Sequence, residues 1–432
     1  MFLSDSFSVN AENHLTIGGV DTLKIAQEYG TPVYVLDEDK IRRNCRAYAS
    51  SICRNYPEGG LVLYASKALC CKELCRICMD EGIGLDVVSG GELYTAHSVG
   101  FPMDKICFHG NNKTLRELTM AVEYGVGRVI VDNLPELEHL EYIAGQQNKT
   151  VDVLLRIKPG VEAHTHEFIR TGQIDSKFGF ALETGEAQDA VQRAAAMRNV
   201  HLTGLHCHIG SQIFDDEPFI EAARVMLDFM AQMRTQYSIS LSELNLGGGF
   251  AIRYRETDPT PLSEKYMDRA GAFIRGYAEK LGIPVPFIYI EPGRSIVGDA
   301  GLTLYTVGSV KTIPGVRTYV CMDGGMFDNP RYILYQAEYE AVCADRAGDA
   351  RTSVVTIAGK CCESGDLIQE HTAIQPVQPG DTLAILCTGA YNYSMASNYN
   401  RNGKPPVVMV RDGKARLIVR GETLDDLIRC DL

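Results

Sequence analysis

Apolar residues fall along the chain in short dense runs, most of them separated by segments with helical spacing. The runs are LVLYASK (61–67), GLDVVS (84–89), KICFHG (105–110), RVIVDN (128–133), VDVLLRIKPG (151–160), LTGLHCHIG (202–210), ELNLGGGF (243–250) and FIYIEPGR (287–294). Between them lie stretches such as CCKELCRICMDEG, LRELTMAVEYG and EPFIEAARVMLDFMAQM, several closing on glycine as helix C-termini do. Near-continuous apolar strands alternating with helices predict a parallel sheet covered on its outside. Eight such units predict a TIM (β/α)8 barrel.

After about residue 300 the period changes. LTLYTVGSVKTI, RTYVCMDGG, SVVTIAGKCC, DTLAILCTGA and PPVVMVRDGKARLIV read as strands joined by turns, which predicts a mostly antiparallel β-barrel-like domain. The first thirty or so residues carry a short strand and a helix that join it. The expected division is an N-terminal segment 1–32 belonging to the β domain, a barrel over 33–298 and a C-terminal β domain over 299–432.

The polar residues of the eight runs sit at their C-terminal ends: Lys67, Asp86, His109, Asp132, Arg156, His208, Gly247 to Gly249, and Glu291 with Arg294. That is the barrel face on which active sites are built. Lys67 closes an apolar run with no acid nearby in sequence to pair with it. A lysine amine at an ordinary pKa of ~10.4 is almost wholly protonated at pH 7, so one used as a nucleophile is desolvated or already held as a Schiff base. The plain alternative is a strand-end lysine reaching solvent.

Three consecutive glycines in NLGGGF (245–250) let backbone N–H groups approach a phosphate, and barrels bind phosphate in the loops after strands seven and eight. HCHIGS (206–211) supplies an imidazole able to stack on a flat ring, and Ser211 able to contact phosphate. Glu291 in YIEPGR is placed to hydrogen-bond a pyridine nitrogen and keep it protonated, although a salt bridge to Arg294 is the simpler reading. A lysine, a phosphate cradle, a stacking ring and a carboxylate on one rim fit pyridoxal 5'-phosphate (PLP).

Composition narrows the rest. A chain of 432 residues with 45% apolar content fills a substantial core, and a net charge of -13 argues against nucleic-acid or anionic-membrane partners. The 14 cysteines follow no disulfide framework, and MFLSDSFSVN lacks the basic region and apolar stretch of a secretion signal, which points to reduced thiols in a cytoplasmic protein. No apolar run approaches the ~20 residues that span a bilayer. Cys70, Cys71, Cys75 and Cys78 lie in a helix-like stretch without a second pair at zinc spacing, so they are expected to pack in the core, and no metal is expected.

The phrases YASKA, GLDVVSGGEL, FHGNNK, TGQIDSKFGF, HCHIGSQI, LNLGGGF, EPGRSIV, MFDNPRYILYQAEY, KCCESGD and TGAYNYSMASNYN run through nearly the whole chain. With them the chain resembles the fold-type III PLP decarboxylases and, among these, the diaminopimelate decarboxylases. The resemblance implies Lys67 as the PLP Schiff-base lysine, His208 as the ring-stacking residue and Glu291 as the pyridinium partner. It implies cofactor contacts from Ser211, Gly248, Gly249, Pro292, Gly293, Arg294 and Tyr391. Substrate contacts fall to Arg294, Arg331, Tyr335, Glu363 and Tyr391, with Cys362 as proton donor. The implied reaction is decarboxylation of meso-2,6-diaminopimelate to L-lysine, the last step of lysine biosynthesis. The implied assembly is a homodimer in which Cys362 and Glu363 complete the neighbour's site. Leu69 and Ala251 depart from the family pattern, which has asparagine and glycine there, without removing a reacting group. An ornithine or arginine decarboxylase of the same fold, or an inactive regulator, are the alternatives; the first has no need of Arg331 and carries aspartate after the reactive cysteine, and the second has no need of intact Lys67, Glu291 and Cys362.

Overall fold

The computed structural model describes residues 2, 4–161, 175–262 and 266–432, so residues 171–174 of the phrase TGQIDSKFGF lie outside the described residues. Two compact units are present. One joins Met1–Arg43, Ile252–Pro259 and Arg294–Leu432; the other joins Asn44–Ala251 and Thr260–Gly293.

The second unit is a closed parallel barrel. Its strands are Gly60–Ala65, Gly84–Val87, Ile106–Phe108, Arg128–Val131, Val151–Lys158, Val200–His206, Glu243–Asn245 and Phe287–Ile290. Each pairs in parallel with the next, and the eighth pairs with the first through Ile288 opposite Gly60. All eight runs read from the sequence are strands of this barrel, and the two-residue strand Phe180–Ala181 is added beside the fifth. Leu63, Cys107, Ile130, Leu154 and Tyr289 pack together as a buried core cluster contributed by five of the strands. Arg128 on the fourth strand donates to both carboxylate oxygens of Glu243 on the seventh, at 2.8 and 2.6 Å, and ties the N-terminal ends of those strands together.

Helix starts are written into the chain by one device used three times. Ser89, Thr114 and Asn133 each accept from the backbone N–H of a glutamate three positions on (Glu92, Glu117 and Glu136), starting helices Gly90–His97, Leu115–Tyr124 and Leu134–Gln146. Each cap follows the end of a barrel strand within a few residues, so the turn from strand to helix occurs on the rim where the polar residues sit. Cys71, Cys75 and Cys78 are buried, as expected of packed residues, while Cys70 is half-buried.

The first unit is built on β-sheet and draws on both chain ends. Phe7–Val9, Leu15–Ile17 and Val20–Asp21 form a small antiparallel sheet, three strands where the sequence suggested one. The strand Gly301–Ile313 pairs antiparallel with Arg317–Met322, Val33–Asp37 and Thr382–Leu386. Most other pairings are antiparallel, but Arg317–Met322 runs parallel to Ser353–Ala358 and Val33–Asp37 parallel to Val407–Arg411. Val33–Asp37, which the sequence boundary at residue 33 assigned to the barrel, is therefore a strand of this sheet. Its five residues are all buried, a pattern that suits either kind of sheet and so gave no warning. Ala341–Cys343 and Leu367–Ile374 are further strands that the sequence did not mark, the first because it is short and the second because its middle is polar.

Candidate active site

The C-terminal rim of the barrel gathers a connected polar cluster. Ala65 ends the first strand opposite Asp86 of the second, and the single 3-10 turn Ser66–Ala68 then carries Lys67 over the rim. Its ammonium lies 3.3 Å from Asp86 Oδ2, so the lysine that has no acid nearby in sequence has one in space. Asp86 Oδ1 lies 3.6 Å from His109 Nε2, and the same nitrogen is 2.8 Å from Glu291 Oε1. Asn245 donates to Glu291 Oε1 at 2.7 Å and accepts the Gly247 N–H at 2.9 Å. The Gly248 N–H donates to His208 Nδ1 at 3.2 Å. Lys67, Glu291, the glycine loop and His208 thus belong to one chain of contacts.

Burial sets the charge states. It pushes the Glu291 carboxyl up, but the imidazole of His109 and then that of His206 outweigh it and hold the group well below the usual carboxylate range. Burial pushes His206 down to about 3, so at pH 7 that ring is neutral, and the ionised Glu291 rests mainly on His109 and the Asn245 amide. Burial, followed by the charges of Lys67 and Arg156, holds His208 well below the ordinary imidazole value. A neutral flat ring is suited to stacking on another ring.

The glycine loop is shaped for close approach. A Cβ on Gly248 would stand 2.0 Å from the Glu291 carbonyl oxygen, and Gly249 has φ +111°, which side chains rarely adopt. Glu291 in turn donates its own N–H to the Gly247 carbonyl at 2.8 Å, so the loop after strand seven and the strand-eight exit are locked together. Pro292 accepts from the Ala65 N–H at 3.1 Å, and a Cβ on Gly293 would meet Ala65 Cβ at 2.9 Å, which joins that exit to the base of the Lys67 turn. Ser211 is half-buried on the neighbouring loop.

These residues fit PLP. Nδ1 of buried His206 lacks a hydrogen-bond partner among the described residues, its Nε2 reaches Glu291 Oε2 only at 3.5 Å, and Oδ1 of buried Asp86 has only the 3.6 Å contact to His109, which leaves polar capacity beside the Glu291 carboxylate for a bound polar group. An amine, a carboxylate, a neutral ring and backbone N–H groups are the donor set that a pyridine aldehyde phosphate requires.

In the other unit a second cluster forms. Arg331 begins the short helix Arg331–Tyr335, is only 6% exposed, and donates to Tyr339 OH at 2.7 Å. Its guanidinium stands 5.0 Å from the Tyr254 ring centre and 5.5 Å from that of Tyr339. Arg294 donates to Tyr254 OH and lies 4.8 Å from the Tyr391 ring centre. Asn392 donates to Tyr339 OH at 3.3 Å. Arg294, Arg331 and Tyr391 are thus brought together, while Tyr335 is half-buried at the last turn of the short helix. Cys362 and Glu363 are exposed on the loop between strands Ser353–Ala358 and Leu367–Ile374, with the Cys362 N–H donating to Asn400 Oδ1 at 2.8 Å.

Sequence reasoning gave no role to His206, Asn245, Tyr254, Tyr339 or Asn392. His206, Asn245, Tyr339 and Asn392 each carried a signal, since each lies within a motif phrase that also holds an assigned residue, whereas Tyr254 lies in none.

Residues 38–298 match the model of the pyridoxal-dependent decarboxylase family, pyridoxal binding domain. The diaminopimelate decarboxylase of Bacillus subtilis (strain 168) is 49% identical, with 100% of this chain and 98% of that protein covered. That of Synechocystis is 43% identical over 98% of this chain and 91% of that protein. Among solved structures, the diaminopimelate decarboxylase of M. jannaschii in complex with L-lysine is similar at TM-score 0.93 and 36% identity, covering 100% of this chain and 99% of that one. On the motif phrases, the barrel-rim cluster and these full-length similarities, the chain belongs to the diaminopimelate decarboxylase family of PLP-dependent enzymes.

Proposed function

We propose that the protein decarboxylates meso-2,6-diaminopimelate to L-lysine and carbon dioxide, the last step of lysine biosynthesis. The observation that carries the choice of substrate is Arg331: a buried guanidinium, held by a tyrosine hydroxyl and two aromatic faces, with no carboxylate at ion-pair distance among the described residues. A substrate with a carboxylate at its far end supplies the missing partner, in the paired geometry that guanidinium favours.

PLP, when bound, supplies an electron sink for the carbon that loses carbon dioxide. The residues do the rest. Lys67 would supply the amine that anchors the cofactor, with the Asp86 carboxylate 3.3 Å away to balance its charge. Glu291, kept ionised and oriented by Asn245 and His109, would hold the cofactor through its ring nitrogen. Gly248 and Gly249, with Ser211, take the phosphate. His208 covers the ring face, and Pro292 with Gly293 fixes the turn that presents Glu291. Arg294 and Tyr391 bound the cofactor and the proximal end of the substrate. Arg331, Tyr335 and Glu363 hold the distal amino-acid group, and the Cys362 thiol returns a proton to the α-carbon.

Cys362 and Glu363 stand exposed on their loop, which supports a homodimer in which each subunit lends them to its neighbour's barrel. A reduced cytoplasm suits fourteen cysteines with no disulfide framework, and no described helix is long and apolar enough to cross a membrane.

Holoenzyme incubated separately with meso-diaminopimelate, L-ornithine and L-arginine tests the reading through carbon dioxide and amine product. Release of both carbon dioxide and L-lysine from diaminopimelate alone is the expected result. Release from ornithine or arginine alone overturns it.

A further inference from the structure

Asp366 closes the phrase KCCESGD, yet nothing above uses it. It is a carboxylate only 3% exposed, and neither of its oxygens meets a cation among the described residues: Oδ1 accepts the Met326 N–H at 2.6 Å and Oδ2 accepts the Cys361 N–H at 2.7 Å. Those two amides belong to different loops. Strands Arg317–Met322 and Ser353–Ala358 run side by side in parallel, so both leave the sheet at the same end. The first continues through Gly324–Gly325–Met326 towards Arg331, and the second turns through Lys360–Gly365, which carries Cys362 and Glu363, before returning as Leu367–Ile374.

Space around the carboxylate is reserved for it. A Cβ on Gly325 would stand 2.5 Å from Asp366 Oδ2, and one on Gly359 would stand 2.2 Å from the same atom. A single direct backbone bond, Lys360 N–H to the Gly324 carbonyl at 2.9 Å, lies beside this junction. Downstream of Asp366 the same strand carries Gln369, whose side chain accepts the Tyr339 N–H at 2.8 Å, and Tyr339 holds Arg331. Burial pushes the Asp366 carboxyl up, while the two N–H donors favour its ionised form.

The geometry points to Asp366 as a positioning residue that fastens the Cys362–Glu363 loop to the segment leading into Arg331 of its own chain, so that the loop a subunit lends to its neighbour's barrel leaves its own β unit in a fixed position. The proposal rests on the roles assigned to Arg331, Cys362 and Glu363 above. Asp366 touches neither substrate nor cofactor; it acts through the two loops.

The test is Asp366→Asn in the holoenzyme. An amide keeps the shape but offers one acceptor where two N–H groups need two, so one loop is released. The expected result is retained cofactor absorbance, a fall in kcat and a rise in KM together amounting to roughly 10²-fold in kcat/KM, and a severalfold change in the alkylation rate of Cys362 measured against exposed Cys430. Parental turnover, or lost turnover with Cys362 alkylated at the parental rate, overturns the proposal. If the variant does not fold, hydrogen exchange in the parent decides: the Met326 and Cys361 amides should open at the same rate, and independent opening overturns the clamp. A parent without activity on diaminopimelate defeats the functional reading instead, while the alkylation and exchange measurements still report on the clamp.

Discussion

Lys67 Nζ lies 3.3 Å from Asp86 Oδ2, across the junction of the first and second barrel strands. The pairing of Ala65 with Asp86 produces this contact, because the lysine stands two residues beyond its strand's last pair. The Lys67 amine, to which we propose the cofactor attaches, is therefore kept at the rim by a carboxylate that is itself fully buried.

Cofactor attachment follows first. Borohydride reduction of the holoenzyme and peptide mapping should place a pyridoxyl group on Lys67, and Lys67→Ala should abolish the label. A pyridoxyl group on any other lysine removes Lys67 from its role.

Arg331→Ala should keep the cofactor absorbance and lose the distal grip. A buried polar partner left unpaired costs roughly 1–3 kcal/mol, and more when it is charged, so kcat/KM for diaminopimelate should fall by at least about tenfold. Parental turnover by this variant would leave the distal carboxylate without its assigned reader.

The proposed homodimer with shared sites makes a complementation prediction. Lys67→Ala and Cys362→Ala chains should each be inactive, but mixed under conditions of subunit exchange they should regain activity, because one of the two sites in a hybrid dimer has both native residues. Subunit exchange demonstrated by mass, with no activity recovered, shows that each site is built from one chain.

Glu92 gives a pH signature. Burial, with the Asp86 charge adding to it, pushes its carboxyl up to about 7 from 4.5, even though it accepts the Val88 N–H at 2.7 Å. A carboxyl raised in the folded state favours folding most below its unfolded value, and that contribution is lost as pH rises through the folded value. Chemical denaturation of the parent relative to Glu92→Gln should therefore show the parent losing relative stability between pH 4.5 and about 7. A constant difference across that window contradicts the assignment.

The sequence by itself determined the barrel, because eight apolar runs alternating with helical segments have one economical solution: a closed parallel sheet with both faces covered. It also marked Lys67, His208, the Gly247–Gly249 loop and Glu291, since polar residues at the ends of apolar strands stand out against their surroundings. Tertiary structure alone decided what these residues meet. Asp86, His109, His206 and Asn245 come from four different strands or strand exits, and only strand pairing brings them to Lys67 and Glu291. The membership of Val33–Asp37 in the β-sheet was equally hidden, because a run of five buried residues satisfies either sheet and local pattern does not say which neighbour it finds. Asp366 is the extreme case: an acidic residue in a glycine-bearing loop reads as solvated surface. Its burial follows only once two parallel strands bring two loops to one end of a sheet, where two backbone N–H groups need an acceptor.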